Sequence, residues 1–240
     1  MMKNVILFAA CLMISSCFVF VQTACAEDDM VRISPESDTV TGYTGCPVEA
    51  ETCTPSDVRA STIPSFWIDK HEITYEEYWS CIERKQCTKM HAFWVSSHPR
   101  TDETASVAAE LSYEQAEEYC KAQGKRLPTQ QEWLAAAMGN TVRKYTWGDA
   151  FEPTAAAPSP LITKKLSTTV MDYPRDQING IYDMSGNGCE WIESTPSGEY
   201  YENTKCMDMR TRPCMGVFPA PLYQQIGVQL DEWMTARCVK

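Results

Sequence analysis

The chain has 240 residues, 44% hydrophobic and 22% charged, which is enough apolar content to bury a core and too much for a disordered polymer. A formal charge of −11 argues against a nucleic-acid partner, because phosphate recognition needs clustered lysine and arginine. Twelve cysteines raise the question of redox compartment.

In chain order, residues 1–26 read as an export signal. Lys3 precedes an apolar run from Val5 to Val21, and Ala24-Cys25-Ala26 supplies a small-x-small cleavage site ahead of Glu27-Asp28-Asp29. Two alternatives stay open, a membrane anchor and lipoprotein processing at Cys17 within Ile14-Ser15-Ser16-Cys17. Cleavage after Ala26 removes three of the twelve cysteines and leaves nine. The expected location is periplasmic or extracellular, where disulfides persist, with the membrane involved only if Cys17 carries a lipid.

The stretch from Ser34 to Ser65 is rich in Thr, Ser, Pro and Gly and reads as irregular structure with short strands; Ser65 to Asp69 is a short aromatic strand. Three capping boxes follow. Thr74-Tyr75-Glu76-Glu77 opens a helix running to about Arg84, Ser112-Tyr113-Glu114-Gln115 opens one ending near Gly124, and Thr129-Gln130-Gln131-Glu132 opens one stopped at Gly139. Past Thr141 the chain turns to Gly, Pro, Asn and aromatics with little periodicity. No internal repeat appears; the length allows one medium domain or two small ones, with modest secondary structure that needs staples.

Several segments then resemble one family. Phe66 to Thr74 with Tyr78, Ala116 to Cys120 with Gly124-Lys125-Arg126-Leu127-Pro128-Thr129 and Glu132-Trp133, Tyr145-Thr146-Trp147-Gly148, and Asn179 to Asn187 are similar, in order, to motifs of the formylglycine-generating enzyme (sulfatase-modifying factor) family. Met30 to Ile33 resembles its usual start, and the likeness thins after Trp191. The resemblance covers residues 30–240 and implies a single α+β domain of the variant C-type-lectin-like fold, low in regular structure and here disulfide-stapled. Gly124, Leu127, Pro128, Trp133, Trp147 and Gly148 read as fold-defining, and Arg126 with Glu132 as a supporting ion pair.

The family holds calcium in the loop that here runs from Asp183 to Glu190. The resemblance places its ligands on the Asp183 and Glu190 side chains and on the Gly186 and Gly188 carbonyls, a donor set suited to a hard cation. Capping and turn roles without metal are the other reading of these residues. A second calcium site in the family draws on an Ala-Asn pair, which Ala155-Ala156-Ala157-Pro158-Ser159 lacks.

Catalysis in the family needs Cu(I) between two thiolates spaced C-x4-C after a Gly-rich turn. The corresponding turn here is Met215-Gly216-Val217-Phe218, followed by Pro219-Ala220-Pro221 and by no cysteine until Cys238. Copper is therefore not expected. Proximity suggests disulfides Cys46–Cys53, Cys81–Cys87 and Cys206–Cys214, and the resemblance of Ala236-Arg237-Cys238 to the family's ending suggests Cys120–Cys238. Cys189 is left over as a buried thiol, inert or reactive. With only His71, His91 and His98 and no H-x-x-x-H, the iron chemistry of other proteins of this fold is not expected. The expected function is binding of a peptide, protein or surface ligand by a domain with a degenerate copper site. Its rival is a copper-dependent oxidase converting a cysteine of a sulfatase-like target to formylglycine, with Cys206, Cys214 or Cys189 supplying the thiolates.

Overall fold

Thr74, Ser112 and Thr129 each lie in extended backbone and accept a hydrogen bond from the amide three residues on, while Glu77, Gln115 and Glu132 bond back to the cap amides. This reciprocal pairing satisfies donors a helix start leaves orphaned. It opens three helices, α1 (Tyr75–Glu83), α3 (Tyr113–Ala122) and α4 (Gln130–Met138). Between the first two lies a single turn, α2 (Asp102–Ala105), capped by Thr101 with Thr104 as its partner. The computed structural model describes residues 29–35, 39–44, 56–59, 63–90, 99–139, 143, 145–148, 150, 152, 154–157, 168–193, 204–205, 216–218 and 234–240. The expected signal, Cys17, and cysteines 46, 53, 206 and 214 lie outside them.

α3 stops at Gln123, and Gly124 follows at φ +69°, the left-handed conformation that a residue without Cβ adopts freely. α4 is buried along its whole length from Glu132 to Met138. Its run Ala135-Ala136-Ala137 offers little side chain to keep neighbours away, so the helix passes through the centre of the core. Its Trp133, together with Trp191, Tyr75, Tyr78, Ile68 and Leu111, is among the large side chains fully enclosed in the domain.

The strands are short. β1 (Met30–Ile33) pairs antiparallel with β4 (Phe66–Asp69), whose Phe66 and Ile68 alternate inward. Among the described residues the largest sheet has the order β10-β7-β8-β9-β2-β3. It consists of β2 (Thr39–Thr44), β3 (Ser56–Arg59), β7 (Cys189–Trp191), β8 (Thr204–Lys205), β9 (Gly216–Phe218) and β10 (Met234–Thr235). Within it β10 runs parallel to β7, in register Met234 with Cys189 and Thr235 with Glu190. β5 (Gln177–Ile178) and β6 (Ile181–Tyr182) form a hairpin around Asn179 and Gly180, at φ 53° and 83°. Short strands and four helices among the described residues make an α+β fold of low regular content. No helix among the described residues is long and apolar enough to cross a membrane.

Residues 234–240 bind these parts together. Met234 O accepts from Leu111 N, Ala236 O from Ile73 N and Cys238 O from Asp69 N, while Lys240 exchanges two backbone bonds with Trp67 and Val239 two with Arg126. Cys238 is bonded to Cys120 of α3 across a sequence separation of 118 residues. A second disulfide, Cys81–Cys87, closes the turn after α1.

Candidate functional site

The loop from Asp183 to Glu190 is enclosed on all sides. Every residue in it is buried, and Asp183 and Asn187 take left-handed φ values of 57° and 61°. Asp and Asn are the residues that, after glycine, tolerate this region best. Gly186 and Gly188 serve another purpose, close approach. A Cβ on Gly186 would lie 2.4 Å from the Ala157 carbonyl oxygen, and one on Gly188 would lie 2.3 Å from Thr235 Cγ2.

Two carboxylates grip the loop, and both are fully buried. Glu72, just before α1, accepts from Asn187 Nδ2 at 2.5 Å through Oε2, and from Thr235 Oγ1 at 2.8 Å and Gly188 N at 3.1 Å through Oε1. Glu190 on β7 faces the guanidinium of Arg237 in a fork, Nε to Oε2 and Nη2 to Oε1, each at 2.8 Å. Trp133 Nε1 of α4 donates to the same Oε2 at 3.2 Å. Both members of the Arg237–Glu190 pair have side chains at 0% exposure, so the pair is removed from water and geometrically complete. The parallel pairing of β10 with β7 delivers Thr235 and Arg237 to these carboxylates.

The rest of the loop is anchored the same way. Asp183 Oδ2 accepts from Met171 N at 2.7 Å. Asp176, also fully buried, accepts from Ser185 N at 2.9 Å and from Thr146 Oγ1 at 2.8 Å, and Asn187 Oδ1 accepts from Thr168 N at 2.7 Å. Burial alone would lower the pKa of Arg237, but Glu190, Glu72 and Asp183 outweigh it and hold the guanidinium above its ordinary value. One permanent cation thus serves three carboxylates.

The structure gathers Asp183, Gly186, Gly188 and Glu190 into one loop, with Glu190 given to arginine. Among the described residues no group of three or more His, Cys, Asp or Glu side chains comes together to hold a metal. Cys189 requires a correction, because its sulfur is disulfide-bonded, not a free thiol. Pairing by nearness in sequence left it out, whereas strand pairing decides which sulfurs meet in space. Cys238 is likewise consumed, by Cys120. Cys46, Cys53, Cys206 and Cys214 lie outside the described residues, so their pairings stay as sequence expectations.

Arg126 and Glu132 do pair, at 2.7 and 2.6 Å, and the same carboxylate closes the capping box of α4 through Thr129. Sequence reasoning passed over Glu72, Asp176, Thr235 and Arg237 as site residues. Glu72 and Arg237 both stand inside family-like segments, but nothing in their spacing joins residues so far apart.

Residues 20–218 match the model of the sulfatase-modifying factor enzyme 1-like domain. The chain is 28% identical over 177 residues to the serine/threonine-protein kinase Pkn1 of Chlamydia trachomatis, covering 67% of this chain and 28% of that protein. It is 34% identical over 101 residues to the inactive C-alpha-formylglycine-generating enzyme 2 of Mus musculus, covering 37% of this chain and 33% of that protein. The chain therefore spans a third or less of the length of these curated relatives. Among solved structures, CarF superposes with a TM-score of 0.52 at 16% identity, over 88% of this chain and 97% of that one, a likeness of fold.

Proposed function

The chain belongs to the sulfatase-modifying factor enzyme 1-like family, and from that premise we propose that it is a binding member of the family, not an oxidase. Its ligand is a peptide, protein or surface group held where relatives hold substrate, and it works outside the cytoplasm after export through residues 1–26. The observation that carries this reading is the state of the cysteines. Cu(I) needs two convergent thiolates. The segment that resembles the family's catalytic turn, Met215 to Phe218, has its last three residues in strand β9 and not in a turn. It is followed by Pro219-Ala220-Pro221, and the next cysteine, Cys238, is bonded to Cys120. Cys189, the other described cysteine of the C-terminal half, is bonded too. A relative named as an inactive formylglycine-generating enzyme is in keeping with a domain retained without the reaction.

The rival reading, oxidation of a target cysteine to formylglycine, draws on the enzyme for which the family is named and on Cys206 and Cys214. Peptide mapping of the non-reduced, alkylated protein by mass spectrometry separates the two. A cross-link from Cys189 to Cys206 or Cys214, or a Cys206–Cys214 bond, leaves no thiol pair and supports the binding module. Two free thiols at Cys206 and Cys214 that take up one Cu(I) would make the protein an oxidase. In the first case the intact mass also reads the export proposal, because cleavage after Ala26 leaves an odd number of cysteines and hence one alkylated thiol.

A further inference from the structure

We propose that Arg237, and not a metal ion, is the cation that closes the Asp183–Glu190 loop, so that this domain binds no calcium there. Calcium takes six to eight oxygens at about 2.3–2.6 Å, and the charged ones must turn toward a common point. Glu190 is the anionic ligand with the most to contribute, and both its oxygens are turned to the guanidinium, with Trp133 Nε1 on one of them. An ion at ligand distance from either oxygen would sit against the Arg237 guanidinium and be repelled by it.

The neighbouring carboxylate is committed in the same sense. Asp183 Oδ2, on the other carboxylate ligand, already accepts the Met171 amide. The residues that resemble a calcium loop therefore do not fit the ion. Arginine does the ion's structural work from just beyond β10, far along the chain, with a charge that cannot dissociate.

The test uses the full exported chain and terbium as a calcium surrogate. Trp133 Nε1 stands 3.2 Å from Glu190 Oε2, so an ion on Glu190 would receive energy from that indole and emit. The expected result is terbium emission under tryptophan excitation no greater than that of free terbium, and a thermal midpoint that is the same in EDTA and in calcium. A saturable emission displaced by calcium and lost in Glu190→Gln would overturn the proposal, as would a midpoint that falls in EDTA. An emission that persists unchanged in Glu190→Gln comes from ions elsewhere on the acidic surface and supports it. Should Glu190→Gln not fold, the comparison of EDTA with calcium on the unmodified chain decides alone.

Discussion

Gly188→Ala probes the tightest contact in the loop. The new Cβ would lie 2.3 Å from Thr235 Cγ2, 2.4 Å from its Oγ1 and 2.9 Å from its Cβ, so no rotation of the threonine clears the space. Thr235 is β-branched and fixed by pairing with Glu190 across β10 and β7, and it cannot swing away as a long side chain would. Relief must come from moving one strand off the other. That movement pulls on two hydrogen bonds that end on the same oxygen of Glu72, from Gly188 N and from Thr235 Oγ1. Overpacking a core costs about 1–3 kcal/mol. Losing one hydrogen bond to a buried charged group costs about 1.5–3 kcal/mol more. Together the expected loss is roughly 2.5–6 kcal/mol, read by urea unfolding with the disulfides intact. Gly124→Ala is the control. It has a left-handed φ of +69° and no atom within 4 Å of the added Cβ, so it carries only a backbone penalty of about 1–2 kcal/mol. A Gly188→Ala protein no less stable than this control would refute the argument that strand packing is rigid here.

Three further outcomes are expected. Arg237→Met should cost about 3–5 kcal/mol by leaving Glu190 buried without its partner, and adding Glu190→Gln should recover more than half of that loss in a double-mutant cycle. Replacing Cys120 and Cys238 together by alanine should lower stability by about 4–5 kcal/mol, because the bond they form closes a 118-residue separation; a change under about 1 kcal/mol would mean that the seam of residues 234–240 suffices alone. Burial pushes the Glu132 carboxyl up, but Arg126 and Thr129 outweigh it and leave the group below its ordinary value of 4.5. Its contribution to stability is therefore present above pH 4.5 and lost as pH falls through the lower folded value, so Glu132→Gln should show a shallower loss of stability on acidification below about pH 4.5 than the parent.

The helices were legible because a capping box is a local device. Thr74, Ser112 and Thr129 announce their helices within four residues, and the structure places the starts there. α2 escaped because its partner residue is Thr104 where the usual signature has Glu or Gln. The β5–β6 hairpin escaped too, although Asn179-Gly180 between Ile178 and Ile181 carries the signal for a tight turn. The site divides along the same line. Asp183, Gly186, Gly188 and Glu190 were visible as a loop, since they are contiguous. What the loop does was not visible, because its partners Glu72, Thr235 and Arg237 arrive from opposite ends of the domain, and a buried ion pair has no sequence period. The fate of Cys189 is of the same kind, settled by which strands meet and not by which cysteine is nearest.

The seam formed by residues 234–240 also governs when folding can finish. Each backbone bond from Met234, Ala236, Cys238, Val239 and Lys240 reaches a residue synthesised long before, and the cation for Glu190 travels in the same segment. Until that segment is made, Glu190 has no counter-ion, Glu72 lacks one of its donors, and Cys120 has no partner. A nascent or truncated chain ending before Met234 is left with buried charges it cannot neutralise and core edges it cannot pair. Such a chain stays open to proteases and chaperones. The segment makes the stability of the fold a report on whether translation has passed residue 238.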